Sequence, residues 1–471
     1  LDPILIGALG PALTAEAETA LVEHGAFWGS AEARELARLA EANPPRLVDR
    51  DPWGERLELV EYHPARHALL RRSAEAGLAV ALFEDETKEA GRRHVLRTAR
   101  LMIAAETETA HLSALSSTSA VLGALTAAGD VGAEWQVRAS TRRFDHRPLP
   151  LAAKAGVTLG WGLVERDGTF PAAPTGNRVS ETDAGEFRLD GRAWFLAAPM
   201  SDAVLVAAEG PEGTGLWLVP RLGRDGRPNG FEVERLKPML GARGEAFAEV
   251  RFSRSEATAV GRPDQAADLA ARAVQLLRHD AATLATGLMR GALARAVHHV
   301  RHRTIAGEPL FDQPLMARVL ADAALDVAAA TALVLRLAQA LDRAETDEGE
   351  AAYARLVVPA AKYWIAKSAV GVTAEALECL GGNGVVEDHD LARFLRDAPL
   401  AGVTAGAGNV LALEVLRLAE ENPDGFAAAI GEIAVDLDSR SSSSSADLIR
   451  AAAEACVADQ GSARILTEQV A

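Results

Sequence analysis

Helical periodicity at both ends of this chain surrounds a single strand-rich segment, and this order of blocks strongly limits the possible folds. Residues 11–128 are rich in Ala, Leu, Glu and Arg at helical spacing, which predicts a bundle of four or five helices. Residues 156–262 alternate apolar and polar side chains between turn signals such as Asp190-Gly191, which predicts a compact antiparallel β domain. Because strands and helices do not alternate as βαβ units, a doubly wound parallel sheet is excluded.

The helical pattern returns after Pro263 in long stretches, at residues 265–303, 313–343, 351–379 and 387–419. The tail contains a serine tract, Ser441–Ser445, which we expect to be a flexible linker before a short helix near 446–458. The fold class is therefore α+β, mostly α. We divide the chain into an N-terminal helical domain, a middle β-barrel, a C-terminal helical bundle and an acidic tail, at residues 1–155, 156–262, 263–420 and 421–471.

Charge and cysteine usage narrow the class of partners and the compartment. The net charge of −17 argues against nucleic acid or an anionic membrane as a default partner. Cys379 and Cys456 are too few for a disulfide framework, and His298 and His302 are four residues apart without a third ligand, so no metal site is predicted. With no apolar run long enough to span a membrane and no leader pattern, we expect a cytoplasmic protein.

Short motifs spread over the predicted domains resemble those of one enzyme family. They are Asn43–Leu47 (NPPRL), 60–70 (VEYHPARHALL), 196–203 (LAAPMSDA), 298–322, 378–388 (ECLGGNGVVED) and 396–400 (RDAPL). Together they resemble the acyl-CoA dehydrogenase superfamily, and within it the alkylation-response, AidB-like branch, over roughly residues 20–420. The resemblance implies an N-terminal helical domain, a middle antiparallel β-barrel and a C-terminal four-helix bundle. It also implies a homodimer or homotetramer with FAD bound between subunits.

The resemblance places the adenosine side of FAD on particular residues. Arg303 and Gln313 match an arginine and a glutamine that contact the diphosphate and adenosine part of the cofactor. The glycines whose backbone approaches the FAD of a neighbouring subunit correspond to Gly381, Gly382 and Gly384. Only glycine lets the main chain come so close to a phosphate or ribose.

The matching positions around the flavin ring have changed. Val164 stands where the family has a threonine, and Phe170 where it has a serine. The Trp-x-x-Ser/Thr motif begins at Trp194 but ends at Ala197, and Ala306 replaces a phenylalanine. Trp194 is thus a cofactor-binding candidate or, as a strand residue, part of the barrel core. Each lost hydrogen bond is worth about 0.5–1.5 kcal/mol, so FAD is either held by altered contacts or absent.

The catalytic base of the family is also missing. Its aromatic-Glu-Gly run corresponds to Thr404, Ala405 and Gly406, and a second position used by some relatives is Leu277. Alanine and leucine cannot abstract a proton, and loss of a general base costs about 10²–10⁴ in rate. Ordinary β-oxidation is therefore not expected.

Three residues remain as catalytic candidates. Asp280 and Arg278 match polar residues of the alkylation-response branch, on the helix that lines the substrate cavity of the family. Two residues apart, they do not share a helical face, and interhelical or intersubunit salt bridges are the alternative role for both. Glu108 shares a helical face with His111, in a structural or a catalytic role.

We therefore expect an acyl-CoA dehydrogenase-like enzyme that acts on a small molecule in a specialised, secondary-metabolite pathway. It is either an atypical FAD oxidoreductase or N-oxygenase, or a flavin-free catalyst of a cyclisation, elimination or isomerisation in the same cavity. The alternatives are a DNA-associated flavoprotein like the alkylation-response relatives and a catalytically inactive scaffold subunit. The tail at residues 421–471 holds nine acidic residues and three arginines, which argues against binding phosphates.

Overall fold

The computed structural model describes residues 1–84, 91–129, 132–169, 171, 175–440 and 463–470. The serine tract, the helix expected near 446–458 and Phe170 therefore lie outside the described residues. The chain divides into two compact units, and the division into four segments made from the sequence stays a prediction. The first unit comprises Leu1–Trp28, Thr87–Thr107 and Arg278–Ala471, and the second comprises Gly29–Glu86 and Glu108–Leu277.

The secondary structure is mostly helical. The described α-helices are α1 (Pro3–Leu9), α2 (Ala15–Trp28), α3 (Ala31–Ala42), α4 (Pro64–Glu75), α5 (Arg93–Ala105), α6 (Leu112–Ala127), α7 (Ala133–Ala139), α8 (Ala266–His302), α9 (Pro314–Arg343), α10 (Glu348–Glu378), α11 (Asp390–Ala401), α12 (Gly408–Glu421), α13 (Pro423–Arg440) and α14 (Ala463–Val470). The described strands are β1 (Arg46–Arg50), β2 (Arg56–Glu61), β3 (Leu159–Trp161), β4 (Val164–Glu165), β5 (Gly168–Thr169), β6 (Arg178–Glu181), β7 (Phe187–Ala197), β8 (Ala203–Gly210), β9 (Gly213–Pro220), β10 (Phe231–Leu236), β11 (Phe247–Val260), β12 (Thr304–Ile305) and β13 (Glu308–Pro309).

The second unit contains a β-barrel built on one apolar core. Strand β11 pairs with β7 and β9, β8 pairs with β9 and β6, and β6 pairs with β7, so these strands close on one another. The core includes Leu189, Val204, Val206, Trp217, Phe231 and Phe252. This closed pairing around one core confirms the barrel predicted from the alternating pattern.

Two pairings in this barrel depart from the antiparallel pattern. Strands β3 and β6 both pair with β8 in the parallel sense. Neither is joined to β8 by a hairpin, whereas β8 and β9 are antiparallel around the two residues between Gly210 and Gly213. Hairpins impose antiparallel pairing, and longer connections permit the parallel sense.

A hairpin of β1 and β2 interrupts the N-terminal helices, so the prediction of helices alone is wrong for this segment. The turn between the strands is held by the Asp51 carboxylate, which accepts hydrogen bonds from the backbone N–H groups of Trp53 and Glu55, both at 2.9 Å. Gly54 adopts a φ of 91°, which favours glycine. The turn residues, rather than any apolar periodicity, carried the signal for this hairpin.

The long helices that follow Pro263 match the apolar periodicity closely. Helices α8, α9 and α10 match three of the predicted stretches to within a few residues at either end. The fourth stretch is two helices, because α11 ends at Ala401 and α12 begins at Gly408. Between them, Ala405 and Gly406 have φ values of 52° and 116°, which an α-helix does not contain. Within the described ranges, none of the helices has the length and apolar character needed to cross a membrane.

Candidate functional site

The turn between α11 and α12 holds the position at which the family pattern has its base. The backbone carbonyl of Ala405 accepts a hydrogen bond from Arg278 Nε at 2.9 Å, and that of Gly406 accepts one from Lys362 Nζ at 2.5 Å. Thr404 Oγ1 donates to the carbonyl of Leu400 at 2.9 Å, so its hydroxyl is engaged within the turn. Two cationic side chains therefore hold a turn that carries no acidic side chain of its own.

Arg278 connects this turn to α12. Its two terminal nitrogens donate to the Glu414 carboxylate at 2.5 and 2.7 Å, a bidentate ion pair. The side chain of Arg278 is 8% exposed and that of Glu414 is 27% exposed. Glu414 is therefore a partly accessible carboxylate beside the turn, although its charge is already matched. The predicted catalytic residue Arg278 thus has an interhelical partner that the sequence did not identify.

Lys362 is the second residue that the sequence reasoning missed. It lies on α10 with its side chain fully buried. Burial, together with repulsion by Arg278 and Lys367, lowers the pKa of Lys362 from 10.5 to about 7. The available signal was a lysine within the apolar run VVPAAKYWIA, where a charged side chain on a buried helix needs a specific partner.

Asp280 points into a different environment, between α5 and α8. Its carboxylate oxygens accept hydrogen bonds from the two terminal nitrogens of Arg97 at 2.6 and 2.7 Å, and both side chains are buried. The neighbouring His279 contacts the carbonyl of Val334 through Nε2 at 3.0 Å. Arg278 and Asp280 are therefore separated into two interhelical ion pairs, and an acid or base role for Asp280 stays a prediction.

Glu108, in the second unit, belongs to a buried relay. Its carboxylate accepts the backbone N–H groups of Ala110 and His111 at 2.7 and 3.1 Å and also contacts His111 Nδ1. The opposite nitrogen, Nε2, lies 2.8 Å from Ser73 Oγ. The order Ser-His-Glu has the connectivity of a hydrolase triad. Because all three residues are buried, a substrate cannot reach the hydroxyl, and the relay is better suited to orienting α4 and α6.

The predicted adenosine-side residues present an open surface in the first unit. Gly381, with a φ of 60°, and Gly382 have no atom within 4 Å of an added Cβ. A Cβ on Gly384 would lie 2.1 Å from the carbonyl of Leu377, so that glycine is required by local packing. Arg303 is exposed and forms no ion pair with another described residue, whereas Gln313 donates to Glu308 at 3.3 Å. Exposed glycine backbone and an available arginine fit a nucleotide diphosphate.

The predicted ring-side residues do not offer the usual hydrogen bonds. Val164 and Ala197 lie on β4 and β7 and have no side-chain donor. The Glu165 carboxylate is engaged by Thr175 and by the backbone N–H of Gly176 at 2.6 Å. Trp194 is 37% exposed, so it is not in the barrel core. The ammonium of Lys237 lies 4.1 Å from its ring centroid.

Metal chemistry has no evident site in the described part of the chain. No group of three His, Cys, Asp or Glu side chains in these ranges is arranged to hold an ion. His302 Nδ1 lies 2.7 Å from the carbonyl of His298, one helical turn away. That contact satisfies the histidine locally.

Comparisons with known proteins agree with this architecture. Residues 1–146 match the family described as adaptive response protein AidB N-terminal domain, and residues 267–419 match the acyl-CoA dehydrogenase C-terminal domain. The Escherichia coli (strain K12) protein AidB is 36% identical over 420 residues, which cover 88% of this chain and 76% of AidB.

Two solved structures show the same fold over almost all of the chain. The structure named Bd2924 apo-form has a TM-score of 0.88 at 24% identity and covers 100% of this chain and 94% of its own. Caenorhabditis elegans ACDH-11, solved in complex with C11-CoA, has a TM-score of 0.85 at 24% identity, over 97% of this chain and 79% of its own. From the two matched domains and the extent of identity with AidB, the chain belongs to the acyl-CoA dehydrogenase family, in the branch that contains AidB.

Proposed function

We propose that this protein is a flavin-dependent oxidoreductase that acts on a specialised small molecule without a carboxylate base at position 405. The observation that carries the proposal is the turn between α11 and α12, where Ala405 stands in place of the base. Glu414, beside the turn, and Asp280, on α8, are both held in bidentate ion pairs with arginine. Membership of the family supports an oxidoreductase enzyme.

The chain's own residues support binding of FAD through its nucleotide half. Arg303 and the exposed backbone of Gly381 and Gly382 would hold the diphosphate and adenosine part, as the family resemblance implies. FAD, when bound, would supply hydride or electron transfer. We infer that the protein assembles as a homodimer or homotetramer, since the family places this cofactor between subunits.

Arg278 and Lys362 would position the turn rather than react. Each donates to a backbone carbonyl, and Lys362 forms no ion pair with another described residue. Because the pKa of Lys362 is about 7, its Nζ can gain or release a proton near neutral pH. Its effect on a substrate would be transmitted through the turn, since its side chain is fully buried.

The proposed reaction is oxidation of a substrate that needs no α-proton abstraction by a glutamate. Oxygenation of an amine nitrogen, within a secondary-metabolite pathway, meets this requirement, with molecular oxygen as the source of the oxygen atom and an external two-electron reductant that reduces the flavin. Binding of C11-CoA by the similar ACDH-11 supports a thioester-sized ligand as the alternative substrate class. We propose no nucleic-acid or membrane partner.

A flavin-free catalyst of a non-redox step is the second candidate. The observation that favours it is that Val164 and Ala197 have no side-chain donor. At the matching positions the family has hydroxyl side chains around the flavin ring. A cyclisation, elimination or isomerisation in the same cavity would not need those contacts.

Reconstitution with FAD tests both candidates. The full chain, incubated with FAD and desalted, is expected to retain flavin absorbance. The Arg303→Ala variant is expected to retain less of it than the control variant Arg318→Ala, which changes an exposed arginine of α9. Saturated acyl-CoA thioesters, including C11-CoA, added without oxygen are expected to leave that absorbance unchanged. Bleaching by a thioester would contradict the proposed chemistry. A colourless protein after reconstitution would contradict the proposed binding of FAD and favour the flavin-free catalyst.

A further inference from the structure

A cavity of about 800 Å³ lies within the second unit and is not part of the site described above. Its wall is formed by three of the motifs that resemble the family, at residues 42–46, 59–70 and 198–201, together with residues 144–148. Ligand pockets commonly have volumes of about 300–1,000 Å³. The apolar part of the wall includes Pro44, Leu59, Phe144 and Met200. The cavity therefore has the size and the apolar surface of a small-molecule site.

Arg221 supplies a buried positive charge on this wall. It follows Pro220, the last residue of β9, and is 6% exposed. Its Nε is buried without a hydrogen-bond partner, and its guanidinium forms no ion pair with another described residue. Asp202, whose charge acts on Arg221, already pairs with Lys154 at 2.8 Å. A buried charge without a partner is costly, and an anion in the cavity would satisfy it.

A second arginine on the wall has a donor to spare. Arg66 is 5% exposed, pairs with Glu245 at 2.5 Å and stacks 4.0 Å from the ring centroid of Tyr62. Its charge is therefore matched, but its Nε is buried without a partner. Tyr62 also interacts electrostatically with Arg221, and all three residues line the cavity.

The acids on the wall do not cancel the charge of Arg221. The Asp145 carboxylate accepts two hydrogen bonds from Arg147, both at 2.8 Å. Glu61 lies 3.6 Å from Arg46. The rings of His67 and His146 stack with their centroids 4.5 Å apart and add a flat surface to the wall. Burial lowers the pKa of His67 to about 3, so this ring carries no charge at neutral pH.

We propose that this cavity binds a small organic oxyanion with an apolar or aromatic body. Its carboxylate or phosphate group pairs with Arg221 and accepts a hydrogen bond from Arg66 Nε. The body of the ligand lies against the apolar wall and the stacked histidines. This site lies within one unit and does not depend on the proposed flavin chemistry.

Calorimetric titration of the full chain with matched probes tests the proposal. Phenylacetate and phenyl phosphate are the anionic probes, and phenylacetamide is the neutral one. We expect at least one anion to bind at about 1 mM or below and the amide to bind about tenfold more weakly. Preference for one anion identifies the carboxylate or the phosphate as the recognised group, and either preference supports the proposal.

Two substitutions complete the test. Arg221→Gln is expected to weaken anion binding about tenfold or more, because a charged hydrogen bond is lost. Arg227→Gln, at an arginine that is 87% exposed, is the matched control and should bind as the parent does. Thermal unfolding without ligand should show Arg221→Gln at least as stable as the parent, since it removes an unpaired buried charge. Equal binding of anion and amide, or undiminished anion binding by Arg221→Gln, would overturn the assignment.

Discussion

Lys362 shows how a single buried residue couples ionisation to the shape of the candidate site. Its ammonium donates to the carbonyl of Gly406, and Arg278 donates to the preceding carbonyl. Ala405 has a φ of 52°, a conformation that costs an L-residue about 1–2 kcal/mol. Such a conformation persists only where the surroundings enforce it. We attribute that enforcement to the two cationic donors.

Lys362→Met is expected to change how stability depends on pH. The pKa of Lys362 is about 7 in the folded chain and 10.5 when unperturbed, so the unfolded chain binds more protons between these pH values. The free energy of unfolding should therefore rise with pH across this window, by several kcal/mol at about 1.4 kcal/mol per pK unit. Urea unfolding of the parent and of Lys362→Met, at intervals from pH 7 to 10.5, measures the rise.

Lys367→Met is the matched control, because Lys367 is exposed on the same helix. The Lys367→Met variant should keep most of the rise in the free energy of unfolding with pH. The Lys362→Met variant should lose the part of that rise that comes from deprotonation of Lys362. Parallel pH profiles for the parent and Lys362→Met would show that Lys362 ionises normally in the folded chain.

At the scale of elements, the contact between α5 and α8 combines close backbone approach with a buried ion pair. An added Cβ on Gly287 would lie 2.4 Å from the carbonyl of Met102, and one on Gly291 would lie 2.4 Å from that of Glu106. Arg97 and Asp280 join the same two helices. Small residues let the helices come close enough for that ion pair to be excluded from water.

Opposite effects are expected from two glycine substitutions. Gly287→Ala should destabilise the fold by about 1–3 kcal/mol, because the helices must separate to relieve the clash. Gly371→Ala, at an exposed position of α10 with no atom within 4 Å of the new Cβ, should stabilise it by about 0.5–1 kcal/mol. Urea denaturation of both variants measures the difference, and a neutral Gly287→Ala would show that the helices can adjust at no cost.

Asp280→Asn separates the structural role of this acid from a catalytic one. It removes one charge of the buried ion pair between Asp280 and Arg97, so we expect a loss of about 3–5 kcal/mol. Asp322→Asn breaks an exposed pair with Arg318 at 3.0 Å and should cost less than about 1 kcal/mol. Activity per folded molecule should survive in Asp280→Asn once a substrate is known. Its disappearance in a folded variant would support Asp280 as an acid or base.

At the scale of the whole molecule, the negative net charge argues against a DNA-associated function. The net charge is −17, and the acidic residues of the tail outnumber its arginines by nine to three. Long-range repulsion of this kind disfavours a polyanion unless a local basic patch overrides it. A DNA-associated function therefore has no support from the charge distribution.

Duplex DNA is expected not to bind at physiological salt. Fluorescence anisotropy of a labelled duplex, titrated with the full chain, should stay flat, and lowering the salt concentration should produce at most weak binding. Native mass spectrometry of the same sample would report whether the chain forms the proposed homodimer or homotetramer. A salt-dependent rise in anisotropy at physiological ionic strength would restore the alternative.

Much of the architecture was predictable because its signals are local. Helices α8, α9 and α10 follow the apolar periodicity, and the barrel follows the alternation of its strands. The β1–β2 hairpin was missed because its evidence lay in the turn around Asp51 and Gly54. The exposed position of Trp194 was also beyond sequence reasoning, since alternation does not say which face of a strand meets solvent.

By itself, the sequence determined the order of the helical and strand-rich blocks, the family resemblance and the absence of an acid at position 405. Only the tertiary structure decided which charges meet: Arg278 pairs with Glu414 across 136 residues, and Lys362 reaches Gly406 across 44. The same is true of Arg221, whose buried guanidinium forms no ion pair with another described residue. Periodicity and residue type act over a few neighbours, whereas burial and pairing of charges depend on which distant segments pack together.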